Sequence, residues 1–309
     1  MPDLTLVPTT PEGPAVAALD SAYFAARSRR RRLIEFLRRL VENPLSAIGL
    51  VLSGLLILGA VLAPLIAGHD PLALDPPNRF LPPGPGHLFG TDEAGRDLFA
   101  RVVYGARPSL TAAVVILALS SSIGTLVGLV AGYMGGIVDE LLMRLTDMFL
   151  AFPALVLAMG AAAALGPSLN NAILATALVW WPWYARLVRG QTLHLKHEAF
   201  IEASRMAGAS SAWILFRHIL PNCRTPVIVQ MSLDIGFAIL TMASLSFVGL
   251  GAQPPTPEWG SMIAIGRQYF LDQWWYITFP GLAVFIAVMA FNVLGDGFQE
   301  ALSPRVRRN

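Results

Sequence analysis

Apolar residues run along this chain in blocks, and polar or proline-rich segments separate the blocks. Six blocks cover 46–67, 109–132, 138–164, 169–188, 225–250 and 275–294. Each is close to the roughly 20 residues that a helix needs to cross a hydrocarbon core. The pattern predicts an all-α membrane protein with six transmembrane helices. Composition agrees: of 309 residues 55% are hydrophobic and 14% charged, with a mean hydropathy of +0.58, against about 25% charged in a soluble domain.

Loop charge sets an expected orientation, because Lys and Arg accumulate on the cytoplasmic side. Seventeen of the 22 fall on one side: the run Arg27 to Arg39 before the first block, Arg144, the segment from Arg186 to Arg224, and Arg305, Arg307 and Arg308. Arg79, Arg96, Arg101, Arg107 and Arg267 fall on the other. Both termini are expected inside. The first apolar block exceeds the 7–15 residues of a secretory h-region, so it is expected to stay as a span. Residues 1–26 read as a disordered tail, 27–45 as a basic juxtamembrane segment and 295–309 as a second tail.

Two segments, 68–108 and 251–274, are expected outside. The first opens with HDPLALDPPNRFLPPGPGH, too rich in Pro and Gly for a helix. Its second half predicts a short helix capped by Thr91 or Asp92, with Asp92 and Glu93 in its first turn and an Asp97–Arg101 pair at i and i+4. Pro108 and Ser109 are expected to end that helix and to cap the second span. In the other segment, Trp259, Trp274, Trp275 and Tyr276 are expected at headgroup level, and 261–269 as a re-entrant or interfacial helix.

Charges within spans are candidates for function. Arg144 and Asp147 are spaced to pair. Asp234 and Asp296 stand isolated, and Asp234 alone sits deep enough to line a path. The lone Cys223 excludes an intramolecular disulfide. No Cys/His group has metal-ligand spacing, and no nucleophile–base pair or GxxxxGK[ST] phosphate loop occurs. The chain therefore reads as no enzyme, with no catalytic, cofactor-binding or metal residues, and any nucleotide chemistry belongs to another chain.

The fourth and fifth blocks are joined by 189–224, whose centre reads EAFIEASRMAGASSAWILFRHILPN from Glu198 to Asn222. Helical phase sets Phe200, Ala203 and Ala207 on one face with Ile201 beside them, and Glu198, Glu202 and Arg205 opposite. Gly208 interrupts; Ser210 or Ser211 then caps a second short helix carrying Trp213, Ile214, Phe216 and Leu220, which Pro221 ends. Two angled helices tethered to spans at both ends suit a groove in a cytoplasmic partner and a lipid surface equally.

This stretch resembles the EAA loop of ABC importer permeases, E-A-A-x-x-x-G followed after a spacer by I-x-L-P. Glu202-Ala203-Ser204 precedes Gly208 here, and His218-Ile219-Leu220-Pro221 closes the motif; Ser204 replaces the second Ala and His218 the Ile. HLFGTDEAGRDLFARVVYGARPSL, LSFVGLGAQPPTPEWGSM and FPGLAVFIAVMAFNVLGDGFQEALSPR are similar to the second permease of dipeptide/oligopeptide importers, a group that includes nickel permeases. The similarity runs from about 32 to 307.

The resemblance implies a type I ABC importer permease in a bacterial inner or plasma membrane, with a permease domain over 92–300 and no nucleic-acid partner. It implies pairing with a homologous permease, two P-loop ATPase subunits (or one fused ATPase) that hold ATP and Mg2+, and an external substrate-binding protein. Glu198, Glu202, Ala203, Ser204, Gly208, Ala209, Leu220 and Pro221 would couple to the ATPases. Asp92, Arg96, Asp97, Glu258 and Trp259 are candidates for external-partner contacts, and Asp234 for lining the path. Peptides are the expected cargo, with nickel, haem or glutathione as alternatives. A stand-alone secondary carrier, the rival class, would need internal repeats and a mid-membrane charge constellation; neither is apparent.

Overall fold

The computed structural model describes residues 40–302 together with Ile34, Phe36 and Arg38. The expected tail 1–26, the arginine run through Arg32, and Arg305, Arg307 and Arg308 lie outside the described residues. Among the described residues the regular elements are helical, apart from isolated bridges Gly84–His87 and Thr91–Asp97.

Helix α1 (Pro44–Val61) starts at Asn43, whose side chain accepts from Leu45 N, with Pro44 where a missing N–H costs nothing. Its large side chains Leu45, Val51, Leu55 and Leu58 point outward, while Ser46, Gly49 and Ser53 are buried. That inversion suits lipid: without water to drive apolar groups together, small residues let backbones approach. A Cβ on Gly49 would meet Leu294 N at 2.7 Å.

Helix α2 (Leu98–Met134) holds 37 residues, about 55 Å at 1.5 Å per residue, so it projects well beyond a bilayer core. The helix expected to begin near Asp92 begins instead at Leu98, because Asp97 is the cap, accepting from Ala100 N at 2.7 Å. Pro108 does not stop it. A proline in a helix forfeits one hydrogen bond, and here the helix runs on through the second apolar block.

The third block is not one straight span. Helices α3 (Gly136–Leu150) and α4 (Ala154–Leu165) meet at 90°. Pro153 causes the break, since the residue before a proline is pushed out of helical backbone. Helix α5 (Leu169–Leu195) is capped by Ser168 and packs most extensively against α2. Gly124, Gly128 and Gly132 line that contact, where an added Cβ would lie 2.4 Å from Trp181 O, 2.4 Å from Ala185 O and 2.7 Å from Thr192 Cβ.

After α6 (Ala199–Met206), the continuous helix α7 (Ser211–Phe247) packs on α9 (Trp274–Leu302), with α8 (Trp259–Gly266) between them on the expected outer face. Four helices, α1, α2, α7 and α9, are long and apolar enough to span, or five if the bent pair α3–α4 counts as one. The fourth expected span, α5, is not among them; it carries Asn170, Asn171, Arg186 and Arg189 along its length.

Candidate functional site

The loop singled out by its motif folds as an elbow. Its first limb is α6, and its corner is Gly208 at φ +81°, a backbone region that side-chain-bearing residues avoid. Ser210 then caps the second limb, accepting from Trp213 N. Pro221 does not end that limb, which is the start of α7. A π-helical turn over Ile214–Ile219, where Leu220 N donates to Leu215 O, accommodates the proline, and Asn222 Nδ2 takes up His218 O at 2.7 Å.

Burial separates the residues that helical phase grouped together. Ile201 is fully buried, while Phe200, Ala203 and Ala207 are exposed. Ile201 packs with Ile214, Ile219 and Cys223 onto Leu129 of α2 and Val188 of α5, with Leu220 and Ala209 at the edge. Arg205 adds a cation–π contact over Tyr133 at 5.4 Å. The elbow is thus wedged against the ends of two long helices, while Phe200, Met206, Trp213 and Phe216 face outward. Glu198 sits at the N-cap position without capping through its side chain, and Glu202 is exposed. Beside the elbow, Arg189 grips Asp139 with two bonds of 2.6 and 2.7 Å, and Arg186 reaches Asp147 at 2.6 Å. The expected Arg144–Asp147 pair is therefore replaced: α5 offers Asp147 a closer guanidinium, and Arg144 turns to Glu140 at 3.4 Å.

Asp234 is not isolated. Tyr184 OH donates to its Oδ2 at 2.7 Å and Gln230 Nε2 to its Oδ1 at 2.9 Å. With Trp180, Trp183, Phe237 and Ala154 these groups line a cavity of about 380 Å³. A carboxylate rimmed by aromatic faces is suited to a hydrogen-bond donor or a cation. The sequence marked Asp234 alone; its partners Tyr184, Trp180 and Trp183 lie 50 or more residues earlier, on α5.

The five candidates for external contact are buried instead. Asp92, Arg96, Asp97, Glu258 and Trp259 are at most 5% exposed. Asp92 accepts from Ala94 N, Arg96 N and Arg96 Nε, and its Oδ2 lies 3.3 Å from Arg101 Nε without hydrogen-bond alignment. Arg101 turns to Asp92 and donates to Pro71 O, so the expected Asp97–Arg101 pair does not form. Arg96 also bonds Glu93, which Tyr276 OH reaches from α9. Trp259 lies in the core, its indole N–H donating to Val102 O at 2.8 Å. Trp275 and Tyr276 are likewise buried, and of the expected headgroup aromatics Trp274 alone is exposed. Glu258 caps α8, and burial pushes its carboxyl above its usual range. The charges of TDEAGRDLFAR thus build a knot that Glu93 ties to Tyr276 of α9, and Asp92 is spent on Ala94, Arg96 and Arg101 instead of opening a helix.

Residues 124–308 match the family described as binding-protein-dependent transport system inner membrane component, and residues 32–83 match the N-terminal transmembrane domain of oligopeptide transport permease C. A probable D,D-dipeptide transport system permease of Escherichia coli K12 is 48% identical over 85% of this chain and 88% of its own. The dipeptide transport system permease of Alkalihalophilus pseudofirmus is 43% identical over 88% of this chain and 90% of its own. A glutathione transport system permease of Pectobacterium atrosepticum is 45% identical over 73% and 75%. An inward-facing structure of the MetNI methionine ABC transporter superposes with a TM-score of 0.52 at 21% identity, over 65% of this chain and 96% of that one, so the two share a fold.

Proposed function

This chain belongs to the family of binding-protein-dependent transport system inner membrane components, and on that premise we propose that it is the permease subunit of an ATP-driven importer of di- and oligopeptides. It lines the translocation path with a homologous permease. Six crossings, with α3–α4 as a bent span and α5 as the sixth, put both termini and the Gly208 elbow in the cytoplasm. Two ATPase subunits, separate or fused, hold ATP and Mg2+ and seat on that elbow; an external binding protein delivers cargo. Closure of the ATPases pushes the elbow, and Ile201, Ile214 and Ile219 pass the displacement to α2 and α5. Hydrolysis resets the path.

The observation that carries this reading is the apolar outer face of the elbow. Phe200, Met206, Trp213 and Phe216 are 43–85% exposed on a rigidly backed corner beside exposed Glu202 and Arg217, a rimmed apolar patch of the kind that marks a protein interface. The peptide assignment is supported by the relatives' activities and by the Asp234 cavity, whose carboxylate and aromatic rim complement a peptide ammonium. Glutathione, itself a peptide, fits the same chemistry.

The test is uptake driven by ATP in the assembled complex. Gly208→Trp adds bulk and backbone strain at an exposed corner where a Cβ meets nothing within 4 Å, so the complex should insert while uptake is lost. Gly208→Asn tolerates the same backbone without the bulk and should retain uptake. Unchanged uptake in Gly208→Trp would overturn the coupling role.

A further inference from the structure

His69, His87 and Asp97 are far apart in sequence and carry no recognisable metal-ligand spacing, yet the fold points two imidazoles at one carboxylate oxygen. His87 Nδ1 lies 2.8 Å and His69 Nδ1 3.8 Å from Asp97 Oδ2, the rings are 5.3 Å apart, and one ligand atom from each residue falls within 4.8 Å of the others. We propose that these three residues form a divalent transition-metal site, most suited to Zn2+, on the module that precedes α2.

Two of the ligands are already fixed. Asp97 is 4% exposed, and its Oδ1 is occupied by Ala100 N, which leaves Oδ2 free to turn to a metal. His87 is held by reciprocal backbone bonds with Gly84. His69 is the adjustable one: half exposed, it follows Gly68 at φ +68°. Tetrahedral zinc with bonds of about 2.0–2.1 Å sets its ligand atoms about 3.3 Å apart. The set closes on an ion when His69 Nδ1 moves in by about half an ångström from its present 3.8 Å and His87 Nδ1 and Asp97 Oδ2 part by about as much from 2.8 Å.

Two neutral imidazoles and one carboxylate leave a net charge of +1 on a bound dication, and imidazole favours Zn2+, Ni2+ or Cu2+ over Mg2+ or Ca2+. His69 also lines a cleft of about 580 Å³ together with Asp70, Leu72, Tyr104 and Pro257, from which water can complete the shell. Bound metal joins the segment leaving α1 to the cap of α2, so it acts as a clamp on this module. The buried Asp92–Arg96–Arg101 knot already rigidifies the adjoining residues 91–101, which confines the gain to residues 68–90.

The full-length chain, purified in its membrane complex and stripped with chelator, is titrated with Zn2+ alone by calorimetry, with thermal unfolding in parallel. One Zn2+ per chain and a raised unfolding midpoint are expected, both lost in His69→Ala and both kept in His69→Cys, which supplies a thiolate at the same place. His197→Ala, an exposed histidine on the far loop, should bind as the parent does. Absence of stoichiometric binding in the parent, or binding by His69→Ala equal to the parent's, overturns the site.

Discussion

Ser204 Oγ lies 3.3 Å from His218 Nε2, so the two positions at which the elbow departs from the E-A-A-x-x-x-G and I-x-L-P pattern meet across its corner. Ser204 also donates to Phe200 O at 2.8 Å, and the Phe200 and His218 rings meet edge to face at 6.1 Å. Two positions that the pattern fills with alanine and isoleucine are here a polar pair. The net value of such a bond is about 0.5–1 kcal/mol at a half-exposed site. Ser204→Ala and His218→Ile should each lower the thermal midpoint, while the double variant, which restores the motif, loses less than their sum. A double-mutant cycle on the purified complex measures this; strict additivity would mean that the two side chains do not interact.

The α2–α5 seam makes a second test. Added atoms at Gly124 and Gly128 would run into backbone carbonyl oxygens at 2.4 Å, which cannot swing aside. Gly128→Ala is expected to cost about 1–3 kcal/mol through overpacking and to lower both the yield of folded protein and its unfolding temperature in detergent. Gly160→Ala in α4 meets nothing within 4 Å and should be neutral or gain about 0.5–1 kcal/mol from reduced backbone entropy. The contrast distinguishes close helix approach from a general penalty for altering membrane glycines.

How much of this was legible beforehand follows from the range of each interaction. Apolar block length announced an all-helical membrane chain, because span length is a local quantity, but not where the helices begin: α2 starts at Leu98 and α7 at Ser211, well before their blocks. The Gly208 corner and the Ser210 cap were legible for the same reason. The break at Pro153 was in the sequence too, but a continuous apolar run masked it. The helix start expected at Thr91 or Asp92 was displaced to Asp97 because Asp92 is spent on Arg96 and on Arg101 of α2, and Glu93 on Arg96 and on Tyr276 of α9. Phase alone did not say which residue of α6 turns inward: Ile201 is selected by the shape of the socket formed by Leu129 and Val188, which lie on other helices. The Tyr184–Asp234 bond and the Asp139–Arg189 pair each join residues 50 apart, and no local pattern announces them.

Asp92 is the anion shared by two buried guanidinium groups, those of Arg96 at 2.6 Å and Arg101 at 3.3 Å. Asp92→Asn keeps the shape and removes the charge, leaving the buried Arg101 facing an amide and Arg96 with the Glu93 carboxylate alone. Breaking a buried pair in this way costs about 3–5 kcal/mol. The expected outcome is a complex that unfolds at markedly lower temperature or fails to accumulate. The exposed Arg38–Glu42 pair provides the comparison, since Glu42→Gln should change stability by less than about 1 kcal/mol. Equal effects at the two sites would remove the structural role assigned to the Asp92 knot.

Glu258 sets a pH dependence whose sign is opposite to that of most carboxylates. It is 1% exposed and accepts from Gly260 N at 3.0 Å and Ser261 N at 2.9 Å, with Ser109 Oγ at 3.4 Å. Burial is the largest influence and raises its pKa above the ordinary 4.5, and the hydrogen bonds only partly offset it. A group whose folded pKa is raised binds protons more readily in the native state, so its contribution to stability is complete below the unfolded value and is lost as pH climbs through the folded one. Glu258→Gln is neutral throughout and keeps one acceptor oxygen for the α8 cap. The unfolding midpoint of the variant should therefore gain on the parent as pH rises from about 4.5 toward neutrality. Below that range the two should differ only by the lost second acceptor. Midpoints measured at intervals between pH 4 and 8 test this, and parallel curves would mean that the Glu258 carboxylate is solvated well enough to ionise freely.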